Sequence, residues 1–277
     1  MDGGRKKRNM DKAKNAWQLA QEALLRISQR PSALKDSRNS IPSEFDFIDD
    51  ITGGFKNKNL TVFTCSEFGS GAFLTSMLEK ICKKGICAAL FSFKMSFALL
   101  GLGLLSKLSG IPFSKLKSGM LQKEEEERLN NAVSFLSEKN NFPLIMENCR
   151  FYSFEELSNS IRSKAQNDGL KIAFIDSLSL MRQSENQIEL LAESKKLAEE
   201  LNIPIVFFLS NPEIRKKELE FEKNPYKNLC ETLIILKQNS ESHDTKTEFT
   251  FGISVEDLYC REVEIIFDSK TLDFYKA

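Results

Sequence analysis

Hydrophobic and polar residues follow two alternating patterns along most of this chain. Short apolar runs predict β-strands, and longer runs with apolar residues every three or four positions predict α-helices. The predicted strands are Leu60–Cys65, Ile86–Phe93, Pro143–Met146, Lys171–Ile175 and Pro204–Leu209. The helices predicted around and between them are Ala72–Lys83, Phe97–Ser109, Lys123–Glu138, Phe154–Asp168 and Glu185–Leu201. This order favours an α/β fold with a mostly parallel, doubly wound sheet that helices cover on both faces.

The end of the chain changes to strands that have no helices between them. These predicted strands are Thr232–Leu236, Glu248–Ile253, Glu262–Phe267 and Leu272–Tyr275. We expect them to extend the sheet as hairpins.

The first 40 residues are predicted to form an arm that is separate from the domain over residues 41–277. Residues 1–10 are polar and basic, and residues 31–40 read as a polar linker. Between them, residues 11–30 predict a helix that Pro31 ends. Its apolar stripe contains Trp17, Leu24 and Ile27.

Composition narrows the function classes only slightly. Lys+Arg and Asp+Glu both number 39, so net charge gives no argument for a nucleic-acid partner, although a local basic patch remains compatible with one. The six cysteines form no C-x-x-C pair and there is one histidine, which favours free buried thiols over a zinc site. No apolar run is long enough to span a membrane and no signal-peptide pattern opens the chain, so we expect a cytoplasmic protein.

The loop between the first long strand and its helix has the position of a phosphate-binding P-loop. It reads CSEFGSGAF over Cys65–Phe73. A working P-loop needs a lysine for the β- and γ-phosphates and a Ser/Thr hydroxyl for Mg²⁺. The corresponding positions here are Gly69, Ser70, Gly71 and Ala72. Alone, the loop is as consistent with a simple glycine-rich turn as with a nucleotide site.

Five motifs in matching order make a more specific pattern. They are IPSEFDFIDDITGGF at Ile41–Phe55, ALFSFKMS at Ala89–Ser96, LSGIPFSKLKSGMLQKEEEERL at Leu108–Leu129, IAFIDSLSLM at Ile172–Met181 and LNIPIVFFLSN at Leu201–Asn211. Over residues 41–277 the chain resembles the C-terminal RecA-like ATPase domain of DnaB-family replicative helicases. The resemblance implies a RecA-like P-loop NTPase fold, and an activity that in the family uses ATP and Mg²⁺.

Most of the family's catalytic residues are replaced at the matching positions. By resemblance, Ser70 stands for the P-loop lysine, Gly71 for its threonine, Lys94 for the catalytic glutamate and Asn211 for the glutamine of the sensing strand. Asp176, the Walker B aspartate, is retained. Because phosphoryl transfer depends on charge stabilisation and positioning, we expect a degenerate domain, a pseudoenzyme that turns over no ATP.

Two residues of this vacated site have open interpretations. Asp176 either binds residual metal or hydrogen-bonds a neighbouring loop. Lys94 either pairs with Asp176 and fills the space of Mg²⁺ and phosphates, or reaches the phosphates of ATP in place of the lost lysine, or is an ordinary exposed lysine at a strand end.

Surfaces for partners are also open. Basic residues that would contact single-stranded DNA, or simply be solvated, are Lys115, Lys117, Arg215, Lys216 and Lys217. The 11–30 helix either docks on another subunit, from a second copy or from an active replicative helicase, or packs on its own domain. The functions that fit are a non-hydrolysing accessory factor in DNA replication or recombination, a divergent DNA-stimulated ATPase or helicase, and a structural or regulatory protein with no nucleic-acid role.

Overall fold

A nine-stranded mixed sheet forms the centre of the computed structural model. The structure describes residues 39–65, 70–138, 141–182, 186–210, 221, 224–239, 245–255 and 259–277; the predicted 11–30 helix therefore lies outside the described residues. The strands are β1 Ser40–Ile41, β2 Phe55–Lys56, β3 Leu60–Cys65, β4 Ala88–Ser92, β5 Leu144–Asn148, β6 Ile172–Ile175, β7 Ile205–Ser210, β8 Thr232–Gln238, β9 Lys246–Val255, β10 Tyr259–Asp268 and β11 Asp273–Lys276. The helices are α1 Asp46–Thr52, α2 Ser70–Lys83, α3 Phe97–Ser109, α4 Phe113–Ser118, α5 Lys123–Ser137, α6 Phe154–Asn167 and α7 Gln187–Leu201.

The strand order in the large sheet is β11-β10-β9-β8-β3-β7-β6-β4-β5, and β1 and β2 form a separate small ribbon. Strands from β8 to β5 in this order pair in parallel, while β9, β10 and β11 add antiparallel hairpins. The predicted α/β fold is confirmed, and so is the extension of the sheet by C-terminal hairpins. The first of the late strands, β8, also joins the parallel part through β3.

Alternate side chains of each central strand face opposite layers of the core. In β3, for example, Phe63 packs with α2 on one face, whereas Val62 packs with the layer of α6 and α7 on the other. Because both faces are covered, these strands contain almost continuous apolar runs. The result is a sheet between two helical layers.

Two short helices, α1 and α4, were missed by the periodicity. Helix α1 has seven residues and α4 has six, too few for a repeating apolar stripe. Each ends at a glycine with a positive φ, Gly53 at 73° and Gly119 at 72°, and a left-handed residue is a common helix stop. The sequence of both helices therefore contained a glycine that marks the helix end, although neither helix was long enough to show an apolar periodicity.

Two expectations from composition bear on the described part of the chain. Of the cysteines whose side chains the structure describes, Cys65, Cys82 and Cys149 are buried as predicted, whereas Cys87 and Cys230 are partly exposed. Within the same residues, no helix is both long and apolar enough to cross a membrane.

Edge strand β5 is attached to α6 through the carboxylate of Glu147. The Ser160 hydroxyl donates to it at 2.7 Å, and the Lys164 ammonium forms an ion pair with it. Burial raises the pKa of Glu147, but the bonds from Lys164, Ser160 and Tyr152 together outweigh burial, and the pKa lies below its ordinary value of 4.5. The charged carboxylate therefore stabilises the folded state.

This arrangement gives a pH-dependent stability. Because the folded pKa is depressed, the contribution is present above pH 4.5 and is lost as the pH falls through the folded pKa. Glu147→Gln should lower the melting temperature at pH 7 and flatten its decline below pH 4.5. Thermal melts between neutral pH and pH 3 test this, with Glu155→Gln, at an exposed position on α6, as the control. Parallel wild-type and Glu147→Gln curves would refute it.

Candidate functional site

Four parallel strands end side by side at one edge of the sheet. In the order β3, β7, β6 and β4, they end at Cys65, Ser210, Ile175 and Ser92. Ligands of open α/β sheets bind at the carboxyl ends of the strands. The residues singled out in the P-loop, Walker B and glutamate-matching motifs follow these ends, so the parallel topology brings three distant motifs to one edge.

Asp176, directly after β6, is held by the loop that follows the neighbouring strand β4. Its carboxylate accepts hydrogen bonds from the Ser92 hydroxyl at 2.5 Å and from the backbone N–H groups of Phe93 at 2.7 Å and Met95 at 2.9 Å. The N–H of Lys94 contacts both carboxylate oxygens, at 3.2 and 3.3 Å. Asp176 is 8% exposed. The buried charge is thus satisfied by hydroxyl and main-chain donors.

Successive N–H groups that converge on one point form an anion-binding concavity. Here the concavity is formed by residues 93–95, and the anion that it holds is the carboxylate of Asp176. The Ser92 hydroxyl also accepts from the N–H of Met95 at 2.9 Å, which closes the loop on itself. Of the two interpretations of Asp176, the structure favours the hydrogen bond to a neighbouring loop.

Lys94 does not form the ion pair with Asp176 that the sequence suggested. The two residues meet through the Lys94 backbone N–H, while the Lys94 ammonium lies 3.4 Å from the Ser210 hydroxyl at the end of β7. Because β6 lies between β4 and β7, the lysine side chain crosses the carboxyl end of β6. Asp176 needs no ammonium partner, because hydrogen bonds from the closer main-chain donors already offset the free-energy cost of burying its carboxylate.

The residues that match the P-loop lysine and threonine open helix α2. Ser70 is its first residue, with Gly71 and Ala72 following, and Gly69 lies outside the described residues. Burial raises the pKa of the neighbouring Cys65 thiol to about 11, although a bond with Ser70 and the charge of Lys94 act to lower it. Ser70, Lys94 and Cys65 are therefore close neighbours at this edge.

The remaining candidates divide into two groups. Asn211, Arg215, Lys216 and Lys217 lie outside the described residues. Lys115 and Lys117 lie on α4, which follows the far end of the 13-residue α3, about 20 Å along that helix from the strand ends. The Lys115 ammonium bonds Glu125 at 2.6 Å, and Lys117 is exposed. The structure does not bring these two lysines to the edge that holds Asp176.

The residues that the structure describes at the strand ends do not fit a Mg²⁺-nucleotide. Both carboxylate oxygens of Asp176 already accept hydrogen bonds from the 92–95 loop, so a cation would have to displace those donors. In the described ranges, no three His, Cys, Asp or Glu side chains gather where they could hold a metal. By the resemblance, Ser70 and Gly71 stand at the positions of the phosphate-binding lysine and the metal-binding hydroxyl.

Sequence reasoning missed two members of the site, Ser92 and Ser210. The Ser92 hydroxyl donates a hydrogen bond to Asp176 and so fixes the loop around it. The Ser210 hydroxyl accepts a hydrogen bond from the Lys94 ammonium. Both are the last residues of apolar strands. A polar residue that ends a buried parallel strand was the available signal, because such residues point to the edge where ligands bind.

Comparison with known families gives a match over most of the domain. The family described as DnaB-like helicase C terminal domain matches residues 40–228, which is more than half of the chain. The replicative DNA helicase DnaB of Helicobacter pylori strain 26695 is 31% identical over 192 residues, covering 66% of this chain and 38% of that protein. The DnaB of Treponema pallidum is 30% identical over 168 residues, covering 57% and 38%. The chain thus spans about two fifths of the length of these relatives.

Solved structures share the fold at lower sequence identity. A structure described as a DnaB-like replicative helicase and its interactions with primase superposes with a TM-score of 0.75 at 18% identity, covering 92% of this chain and 66% of that one. A second structure, described as an ATPase domain, gives a TM-score of 0.67 at 18% identity and covers 93% of this chain and 98% of that one. At this identity the likeness concerns the fold, which is the RecA-like fold that the resemblance implied.

Proposed function

The chain belongs to the family of DnaB-like helicase C-terminal domains, and from this membership we propose that it is an accessory factor in DNA replication or recombination that does not hydrolyse ATP. The observation that carries the proposal is the state of Asp176. Its carboxylate, the one retained acidic group of the family's site, serves as a hydrogen-bond anchor for the 92–95 loop.

The charges at the site support the same proposal. Catalysis of phosphoryl transfer depends on groups that stabilise charge in the transition state, and loss of one such group commonly costs about 10²–10³ in rate. Here the matching positions carry Ser70 for the lysine, Gly71 for the metal-binding hydroxyl and Lys94 for the glutamate. Lys94 places a positive charge where water activation calls for a carboxylate. Each replacement acts against the same reaction.

The resulting factor would act by binding. A DnaB-family subunit that keeps its fold without turnover could associate with a second copy of itself or with an active replicative helicase, the 11–30 helix being one candidate contact. Contact with single-stranded DNA would rest on Arg215, Lys216 and Lys217, with Lys115 and Lys117 as weaker candidates. Binding to single-stranded DNA that weakens steeply with salt would support a nucleic-acid role over a purely structural one.

Turnover measurements separate the accessory factor from a divergent enzyme. We expect no ATP hydrolysis above background, with or without single-stranded DNA. A DNA-stimulated turnover of about 1 s⁻¹, near the low end of ordinary enzyme rates, would instead identify a DNA-dependent ATPase.

Calorimetric titration with ATP·Mg²⁺ tests the role of Lys94 in the same samples. We expect no binding by the wild type, and no binding and little loss of stability in Lys94→Ala, because most donors to Asp176 are main-chain groups that the substitution retains. Micromolar binding by the wild type that Lys94→Ala abolishes would mean that Lys94 replaces the P-loop lysine. That outcome would overturn the proposal at this site.

A further inference from the structure

The two edges of the large sheet differ in how they are protected. Strand β11, at one edge, has four residues and carries Asp273 and Lys276 at its ends. Short length and charged side chains are common means of keeping an edge strand from pairing with another chain. Strand β5, at the other edge, reads LIMEN, and its Leu144, Ile145 and Met146 are each partly exposed. Among the strands that the structure describes, β5 pairs with β4 alone.

The free edge of β5 presents the main-chain groups of alternate residues. The Pro143 carbonyl oxygen accepts a hydrogen bond from β4 at 3.0 Å, and the Cys149 N–H donates one to β4 at 2.8 Å. Main-chain groups point to opposite sides at successive residues of a strand, so the odd-numbered residues of β5 face β4. Leu144, Met146 and Asn148 therefore face away from the sheet. Within the described residues, no acceptor bonds the N–H groups of Met146 and Asn148.

We propose that the free edge of β5 is a docking site for β5 of a second copy of this chain, paired antiparallel about a two-fold axis at Met146. In this register Met146 exchanges main-chain hydrogen bonds with the partner's Met146, and the Asn148 N–H meets the carbonyl oxygen of the partner's Leu144. The N–H of Leu144 is not needed, because it already bonds the Phe142 carbonyl oxygen at 2.8 Å. The same patch serves on both copies, as a two-fold contact requires. The inference does not depend on the proposed function.

The charged residue within β5 favours this register. With the axis at Met146, Glu147 lies opposite the partner's Ile145. The Glu147 carboxylate is already paired with Lys164 of its own chain, so it brings little repulsion to the contact. An axis at Glu147 would instead place it opposite the partner's Glu147, and like charges directly opposite each other destabilise a strand pair.

Opposite charges meet at both ends of the strand pair. Because the strands are antiparallel, Arg150, just after β5, lies beside the partner's Phe142. The preceding Asn141 holds Glu138 there, since its side-chain amide donates to the Glu138 carboxylate at 2.7 Å. Arg150 and Glu138 are both exposed, and Arg150 forms no ion pair within the described residues. The two-fold axis produces the contact of Arg150 with the partner's Glu138 twice, and this charge complementarity favours a second copy over an unrelated strand.

Charge exchange in the full chain tests the contact by sedimentation at low salt. We expect the wild type to form a reversible dimer. Arg150→Glu and Glu138→Arg should each weaken the dimer by about tenfold or more, because each creates two like-charged pairs at the ends of the contact. An equal mixture of the two variants should dimerise like the wild type, since one variant is then acidic at both positions and the other basic at both. Arg261→Glu, at an exposed position on β10, is the matched control and should leave the dimer unchanged.

A disulfide across the two-fold axis tests the register. Antiparallel residues that exchange hydrogen bonds lie about 5.5 Å apart between Cα atoms, which suits a disulfide. Met146→Cys should therefore give a covalent dimer when oxidised glutathione is added. Tyr275→Cys, exposed on the opposite edge strand, should give no more covalent dimer than the wild type.

Four results would each overturn the docking of β5 on a second copy. They are a wild type that stays monomeric, single charge variants that dimerise like the wild type, a mixture of these variants that does not dimerise, and a Met146→Cys variant that forms no disulfide-linked dimer. Far-ultraviolet circular dichroism confirms that all variants are folded.

Discussion

Asp176→Asn should lower the free energy of unfolding by about 3 kcal/mol, because hydrogen bonds to a charged group each contribute about 1.5–3 kcal/mol and several act on this carboxylate. Asparagine keeps the shape but has one acceptor oxygen, and its NH₂ group would face the N–H groups of the 92–95 loop. The 92–95 loop would then contain donors without acceptors. Urea unfolding at pH 7, analysed by linear extrapolation, measures the change.

Asp168→Asn is the matched control for this substitution. Asp168 is exposed at the end of α6, so its replacement should change the free energy of unfolding by less than about 0.5 kcal/mol. If Asp176→Asn proves equally mild, the carboxylate is not an anchor of the loop. In that case Asp176 would again be available to a metal, and the proposed function would lose its main support.

Phe73→Ala should cost about 3–5 kcal/mol, the usual range for removal of a buried phenylalanine side chain. Phe73 is fully buried on α2, and its ring centroid lies 4.8 Å from that of Phe45, 5.0 Å from Phe251 and 4.9 Å from Phe274. The ring thus joins the helix after the P-loop position to α1 and to the C-terminal hairpins. Its loss would leave a cavity and remove several aromatic contacts.

The same chemical change at an exposed position controls for the intrinsic effect of alanine. Phe151 is 81% exposed, so Phe151→Ala should leave the urea midpoint nearly unchanged. Similar midpoints for Phe73→Ala and Phe151→Ala would show that the contacts of the Phe73 ring contribute little. A lower denaturant slope in Phe73→Ala alone would instead indicate a change in the compactness of one of the two states.

Much of the fold followed from local patterns. Strands β3 to β7 and helices α2, α3, α5, α6 and α7 all occur where periodicity placed them, with ends that differ by a few residues. Apolar periodicity is a local signal, because one face of each long element must meet the core. The signal failed for α1 and α4. Each has only one or two turns, which are fixed by the residues at their ends and by packing.

The location of the candidate site was also predictable in part. A glycine-rich loop after β3 and an aspartate after β6 had to share an edge once the strands were taken as parallel, because parallel strands end on the same side. The partner of Asp176 was not predictable in this way. One of the interpretations that the sequence left open paired Asp176 with the Lys94 ammonium because of its charge, whereas the structure uses the Lys94 backbone N–H together with Ser92 and Met95.

The sequence by itself determined the order and type of most elements and the family to which the domain is similar. Only the tertiary structure decided how the remaining aspartate is used. The β4 and β6 strands become neighbours through the sheet order, which brings together groups that are more than 80 residues apart along the chain. Main-chain N–H groups are the same at every residue, so their convergence on Asp176 leaves no mark in the sequence and arises from the conformation of one loop.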